Sequence, residues 1–209
     1  MKTLLIIDLQ NDFLPGGSLP VADGDHIVPL VNELVHAPFD LIVASKDWHP
    51  LNHGSFAKTH NKEPGDHILL NGIDQLLWPM HCVQGSIGSE FAPGWDTTRI
   101  DEVFYKGIDP HIDSYSAFFD NKSLKSTGLD AYLKEKGAKE IYIVGLATDY
   151  CVKYSVLDAL QLGFEPYIVV DACRGVNIHP QDSEKAFRAM IAAGAKLITF
   201  SDLMFLLSK

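Results

Sequence analysis

Three side chains able to carry covalent hydrolysis stand just beyond short apolar runs. Asp8 follows residues 4–7, Lys106 follows residues 103–105, and Cys151 follows residues 141–144 by way of Gly145-Leu146-Ala147-Thr148-Asp149-Tyr150. A thiol becomes a nucleophile when one neighbour takes its proton and another favours the negative sulfur. A carboxylate and an ammonium divide those tasks: the carboxylate moves the proton between sulfur and leaving group while the ammonium holds charge. Cys151 also falls near the start of a helical stretch, where unpaired N–H groups and the helix dipole are expected to lower a thiol pKa. Taken singly, Asp8 reads equally as a turn residue and Lys106 as a solvated charge. Their common position after apolar runs is what groups them with Cys151.

A second cluster follows the run at residues 41–44. Asp47-Trp48-His49, with His53 and His81 further on, mixes the carboxylate and imidazole ligands suited to zinc, iron or manganese. Three protein ligands would leave coordination positions open, as in a functional rather than a structural site. The triplet alone is equally a polar loop around a half-buried Trp. His60 and His67 read as surface histidines. The three cysteines, Cys82, Cys151 and Cys173, fit neither a disulfide framework nor a CxxC pair, so Cys82 and Cys173 read as small buried residues.

These groups need a scaffold that brings strand ends together. Six short runs, at residues 4–7, 41–44, 103–105, 141–144, 167–170 and 197–200, are apolar throughout, the habit of strands buried on both faces of a parallel sheet. Helical spacing fills the gaps at residues 26–36, 128–136, 149–162 and 182–193, with a short helix after Ser201. In the third, Val152, Val156, Ala159 and Leu160 form one apolar stripe. Gly137, Gly163 and Gly194 stand where C-cap residues belong. The expected fold is α/β, a three-layer sandwich with a central, mainly parallel six-stranded sheet and helices on both faces. Ligands of such sheets bind outside the carboxyl ends of the strands, where the reactive residues lie. The whole of residues 1–209 reads as a single domain. Its irregular segment at about 46–99, rich in His, Gly, Pro and Trp and without a convincing strand, is expected to build the site.

Composition narrows the partners. A formal net charge of −10, from 17 Lys+Arg and 27 Asp+Glu, lacks the basic patch that phosphate contacts require, so a nucleic-acid role is disfavoured. The first apolar run is stopped by Asp8 after four residues, too short for a signal-peptide core or a membrane span, and a cytoplasmic location without membrane association is expected. Small neutral or aromatic ligands remain open, and net charge leaves a homo-oligomer open as well.

Six ordered motifs carry a resemblance: Asp8-Leu9-Gln10-Asn11-Asp12-Phe13, Asp47-Trp48-His49-Pro50, Trp78-Pro79-Met80-His81-Cys82-Val83, Lys106-Gly107, Asp113-Ser114-Tyr115-Ser116-Ala117-Phe118, and Gly145 to Val152. Over almost the whole chain they resemble the nicotinamidases of the isochorismatase-like hydrolase superfamily, the bacterial nicotinamidase/pyrazinamidase group above all. The resemblance implies a cysteine amidohydrolase that converts nicotinamide, and pyrazinamide, to the acid and ammonia in NAD salvage. It implies Asp8, Lys106 and Cys151 as the catalytic triad. Asp47, His49 and His81 would be ligands of one divalent metal ion, zinc first and iron or manganese next, and His53 matches a position that ligates in some members only. It places a cis peptide at Leu146-Ala147, with the N–H groups of Ala147 and Cys151 as an oxyanion hole, and Phe13, Trp78, Tyr115 and Leu146 around the substrate. Where some relatives carry His before the nucleophile, this chain has Tyr150. The alternatives are a hydrolase of carbamoyl or ureido compounds on the same fold, or a non-catalytic metal-binding member.

Overall fold

The computed structural model describes residues 1–208. Six strands form one sheet: β1 (Lys2–Ile7), β2 (Leu41–Asp47), β5 (Glu102–Lys106), β6 (Glu140–Leu146), β7 (Glu165–Arg174) and β8 (Lys196–Ile198). Their order is β5-β2-β1-β6-β7-β8, and every adjacent pair is parallel. Five helices pack on the two faces: α1 (Val28–Val35), α2 (Leu129–Glu135), α3 (Lys153–Gln161), α4 (Asp182–Ala193) and α5 (Phe200–Leu207).

The alternation of a strand sorts β1 between two cores. Leu4 and Ile6 point to a layer closed by Val31, Leu34 and Leu203 of α1 and α5. Leu5 and Ile7 point to the opposite layer, closed by Leu133, Val156, Ala159 and Met190 of α2, α3 and α4. Apolar side chains are thus wanted at every position, which is why the runs lack a polar alternate. From β1 the chain winds outward through β2 to β5, then returns to β6 and winds the other way. The crevice above β1 and β6 is a topological switch point, where ligands enter such sheets.

The segment at about 46–99 departs from expectation, since it holds an antiparallel hairpin, β3 (His67–Leu70) and β4 (Ile73–Leu76). Asn71 and Gly72 connect its strands with φ of 51° and 79°, the positive pair that a two-residue hairpin turn requires. The Asn-Gly signal was in the sequence, but four-residue, half-exposed strands give little apolar contrast. Two further boundaries moved. β7 runs on to Arg174, taking Asp171 and Cys173 into the strand, and Phe200 begins α5 behind Thr199, whose hydroxyl accepts from the Asp202 N–H. The helix expected at 149–162 opens as a π-helical turn, Thr148–Val152, before α3 begins, and α1 is preceded by a 3-10 turn at Gly24–Ile27. Among the described residues no helix is long and apolar enough to cross a membrane.

Gly145 shows how tightly β6 lies against β1 beneath the site. It has φ +123°, and a Cβ there would sit 2.1 Å from the Ile7 carbonyl oxygen and 2.7 Å from the Ile7 nitrogen. Both the conformation and the space exclude a side chain. Gly145→Ala is expected to lower stability by about 3 kcal/mol, from overpacking plus the positive φ, read as a lower midpoint in urea at unchanged slope. A midpoint within error of the parent would show that the strands can separate there freely.

Candidate active site

Asp47 and Lys106 end neighbouring strands and lie directly opposite one another in the β2–β5 register. That register sets the geometry of the site. The Lys106 ammonium, wholly buried, lies 2.7 Å from Asp47 Oδ1, 2.9 Å from Asp8 Oδ2 and 3.5 Å from Cys151 Sγ, and donates to the Ser114 carbonyl at 2.9 Å. Asp8, in the left-handed region at the end of β1, accepts from the Ser45 hydroxyl through Oδ1 at 2.6 Å. Its Oδ2 accepts no directional hydrogen bond among the described residues, so beyond the ion pair it is free to take a proton. One oxygen of Asp8, one of Asp47 and the Cys151 sulfur lie within 4.8 Å of one another. The fold therefore brings the three sequence candidates together.

Their electrostatics follow from burial beside opposite charges. Burial alone would pull the Lys106 ammonium down, but the carboxylates of Asp47 and Asp8 outweigh it and hold it well above its usual range. Burial pushes the Asp8 carboxyl up against the pull of Lys106, which makes it a stronger base than a surface aspartate. Burial also pushes the Cys151 thiol well above its usual range, again against Lys106. The expectation that the helix start depresses this thiol is therefore reversed. Removal from water and the carboxylates of Asp8 and Asp47 dominate at a sulfur set in the π turn.

Next to this cluster, Nε2 of His49 and Nε2 of His81 lie 3.3 Å and 3.5 Å from Asp47 Oδ2. A tetrahedral ion with ligand bonds of about 2.0–2.1 Å holds its donors about 3.4 Å apart, so the three atoms have the spacing of a coordination set. The other ring nitrogens are aimed for it. Nδ1 of His49 faces the Gly107 carbonyl at 2.9 Å and Nδ1 of His81 the Pro79 carbonyl at 2.8 Å. A carbonyl can only accept, so both protons sit on Nδ1 and both Nε2 lone pairs are free for a cation. Gly107 must be glycine for this approach, because a Cβ would come within 2.3 Å of the His49 ring.

His53 is built the other way round. Its Nδ1 accepts from the Ser55 N–H at 3.2 Å and contacts the Ser55 hydroxyl at 2.7 Å, which leaves the ring proton on Nε2, buried and without a hydrogen-bond partner among the described residues. Burial and the neighbouring His49 push its pKa down to about 4, so the ring is neutral at pH 7. It borders the set, within reach of His49 and Asp113, but presents an N–H where a ligand needs a lone pair.

A narrow cavity joins the two clusters, lined by Phe13, Trp78, Tyr115, Tyr150, Leu19 and Val176, with Asp47, His49, His81, Ala147 and Cys151 at its base. Trp78 Nε1 donates to the Tyr115 hydroxyl at 3.1 Å, and Trp78 meets Tyr150 edge-on at 4.8 Å between centroids. Phe13, Trp78 and Tyr115 all line this cavity. Leu146 is wholly buried in the core, against Gly24, and the cavity is lined instead by the next residue, Ala147. The Leu146-Ala147 peptide is cis. His60 is tied to the Gly54 carbonyl and His67 lies on the exposed hairpin, apart from the site.

Sequence reasoning missed the supports. Gln10 accepts from the Asp47 N–H at 2.8 Å and donates to the Asp47 and Ser89 carbonyls, fixing the end of β2. Gln75 on β4 donates to Asp113 Oδ2 and the Tyr115 hydroxyl, so the hairpin braces one cavity wall. The only sequence sign of these was a polar side chain within or beside an apolar run.

With that geometry in view, the comparisons are specific. A model described as the Isochorismatase domain matches residues 2–202. The chain belongs to the isochorismatase family. Within that family, the nicotinamidase of Escherichia coli (strain K12) is 50% identical over 204 residues, covering 96% of each chain. The solved structure of an Acinetobacter baumanii nicotinamidase pyrazinamidase superposes with a TM-score of 0.93 at 42% identity, over 97% of each chain. That of the pyrazinamidase of Pyrococcus horikoshii in complex with zinc gives 0.77 at 37% identity, over 95% of this chain and 98% of that one.

The ring tautomers set His49 and His81 apart from His53, and the metal content of variants should follow that division. After dialysis against metal-free buffer, His49→Ala and His81→Ala should each lose the ion, whereas His53→Ala should keep close to one equivalent, with affinity reduced about tenfold as for an outer-shell group. Loss from His53→Ala equal to that from His49→Ala would place His53 among the ligands.

Proposed function

We propose that this chain is a nicotinamidase, a cysteine amidohydrolase that converts nicotinamide to nicotinate and ammonia and accepts pyrazinamide, in NAD salvage. The observation that carries the reading is the Lys106 ammonium. It ties a thiol and a free carboxylate oxygen to one ligand of a three-donor cluster, at the base of an aromatic cavity. The names of the relatives support the same chemistry.

In this reading the planar ring packs among Phe13, Trp78 and Tyr115, with its carboxamide at Cys151. Asp47, His49 and His81 hold one divalent cation, and the zinc of the Pyrococcus horikoshii relative supports zinc. When bound, the cation supplies a Lewis-acidic anchor for the ring nitrogen, directly or through a ligand water.

Cys151 Sγ attacks the amide carbon as Asp8 Oδ2 takes the thiol proton. Burial raises the basicity of Asp8, and the proton transfer occurs within the attack rather than before it. The tetrahedral oxyanion rests on the Ala147 and Cys151 N–H groups. Asp8 then returns the proton to the departing nitrogen, ammonia leaves, and a thioester on Cys151 remains. Water attacks that thioester as Asp8 takes one of its protons. Collapse releases nicotinic acid, which gives its remaining proton to ammonia or solvent to become nicotinate, and the proton held by Asp8 restores the thiol. Throughout, Lys106 keeps the Asp8 carboxylate oriented and offsets the charge that develops between oxygen and sulfur.

Release of ammonia from nicotinamide by the purified protein tests this directly. Cys151→Ala and Asp8→Asn should each lower kcat by about 10⁴ or more, the scale seen when a member of a nucleophile–base unit is removed, at unchanged metal content. Turnover by Cys151→Ala within tenfold of the parent would rule out the covalent route. A parent inert toward nicotinamide but active on a carbamoyl or ureido compound would move the assignment to that substrate class.

A further inference from the structure

Asp149 stands two residues before the nucleophile and is used by no step above. It lies in the π turn Thr148–Val152, 4% exposed, and does not face the cavity. Its carboxylate reaches to the segment that follows β7: Oδ1 accepts from the Val176 N–H at 2.9 Å and Oδ2 from the Asn177 N–H at 2.7 Å. Val176 is one wall of the cavity, and Cys151 is at its base. A single side chain therefore joins the turn that presents the sulfur to the segment that bounds the substrate.

The segment has few other ties. Asn177, in the left-handed region at φ 52°, closes it by donating from Nδ2 to the Gly175 carbonyl at 3.2 Å and accepting from the Ser183 N–H of α4 at 2.9 Å. Gly175 leaves no room for a side chain, since a Cβ would stand 2.1 Å from Ser183 Oγ and 3.0 Å from Asp149 Oδ1. The run from Asp149 through Val176 and Asn177 to α4 is a chain of short contacts in which the carboxylate supplies the two hydrogen bonds from the nucleophile turn.

Resting on the nicotinamidase reading, we infer that Asp149 is a positioning residue that sets the distance between the Val176 wall and Cys151, and so the seating of the ring carboxamide over the sulfur. Two adjacent backbone N–H groups need two acceptor oxygens. A carboxylate offers both, whereas an amide offers one oxygen and turns an NH2 toward the other N–H. Asp149→Asn should therefore free Val176 or Asn177 while preserving side-chain volume. Because the segment touches the ring rather than the reacting atoms, the loss should fall on substrate binding.

The test is a double-mutant cycle of Asp149→Asn and Val176→Ala on nicotinamide hydrolysis, with iodoacetamide labelling of Cys151 measured in parallel without substrate. Asp149→Asn should raise KM about tenfold, the size of one lost hydrogen bond to a charged acceptor, with kcat within about threefold. Val176→Ala should raise KM similarly, and the double variant should be no worse than the larger single effect, because both act through one wall. Labelling should match the parent within about twofold, an estimate resting on the unchanged sulfur environment. KM effects that multiply, or a fall in kcat at unchanged KM, or altered labelling, would overturn the inference, since Asp149 would then act on the nucleophile turn itself. Should Asp149→Asn not fold, Asn177→Gly cuts the next link while keeping the left-handed conformation. It must raise KM alone, and an unchanged KM there would also overturn the inference. A parent inactive on nicotinamide would instead sink the reading on which the inference rests, an outcome separate from all of these.

Discussion

A buried ammonium has to be paired, and at Lys106 that requirement organises the site. Stripped of water, its charge would cost several kcal/mol if left alone. Asp8, Asp47 and the Ser114 carbonyl surround it instead, each delivered by a different part of the fold. The pairing works in both directions, because two carboxylates set this close would repel without the cation between them. Asp47 is thereby divided, with Oδ1 on Lys106 and Oδ2 between His49 and His81. The acid–base centre and the candidate metal centre share one side chain and can move only together. The β2–β5 register, which sets Asp47 opposite Lys106, turns a backbone feature into an electrostatic one.

Around that core the sheet supplies rigidity and the irregular segments supply shape. The apolar strands, closed on both faces, fix where Asp8, Asp47 and Lys106 emerge. The cavity walls come from elsewhere: Trp78 follows the β3–β4 hairpin, Tyr115 lies in the stretch after β5, and Val176 follows β7. Two of these walls are tied back by a polar side chain, Tyr115 by Gln75 and Val176 by Asp149. Rigid strand ends carrying the chemistry, with braced loops carrying the fit, is the division of labour expected of an open α/β sheet.

Much of this was legible in the sequence because long-period signals are strong. The apolar runs pointed to strands of a parallel sheet, of which the inner ones are buried on both faces while the edge strands β5 and β8 are partly exposed, and reactive residues after four of them pointed to the site. What was hidden depended on single residues or on atoms. The hairpin is too short and too exposed for its apolar contrast to register, although Asn71-Gly72 marked its turn. The π turn adds a residue that no local pattern announces. Leu146 is fully buried while Ala147 reaches the cavity, so a slip of one residue exchanged a core side chain for a cavity one. The direction of the Cys151 pKa shift was misjudged because position along a helix can be read from sequence and depth of burial cannot. The roles of the histidines rest on which carbonyl or N–H each Nδ1 meets, which only the folded chain decides.

The central claim is that the Lys106-centred cluster makes Cys151 a covalent nucleophile by handing its proton to Asp8 as it attacks. Rapid quenching in acid within the first turnovers on nicotinamide, followed by intact mass and peptide mapping, tests it most directly. The account predicts a transient mass increase of one nicotinoyl group, mapped to Cys151 and absent from Cys151→Ala. Multiple turnover with unmodified protein at every time point, or the added mass on another residue, would contradict it.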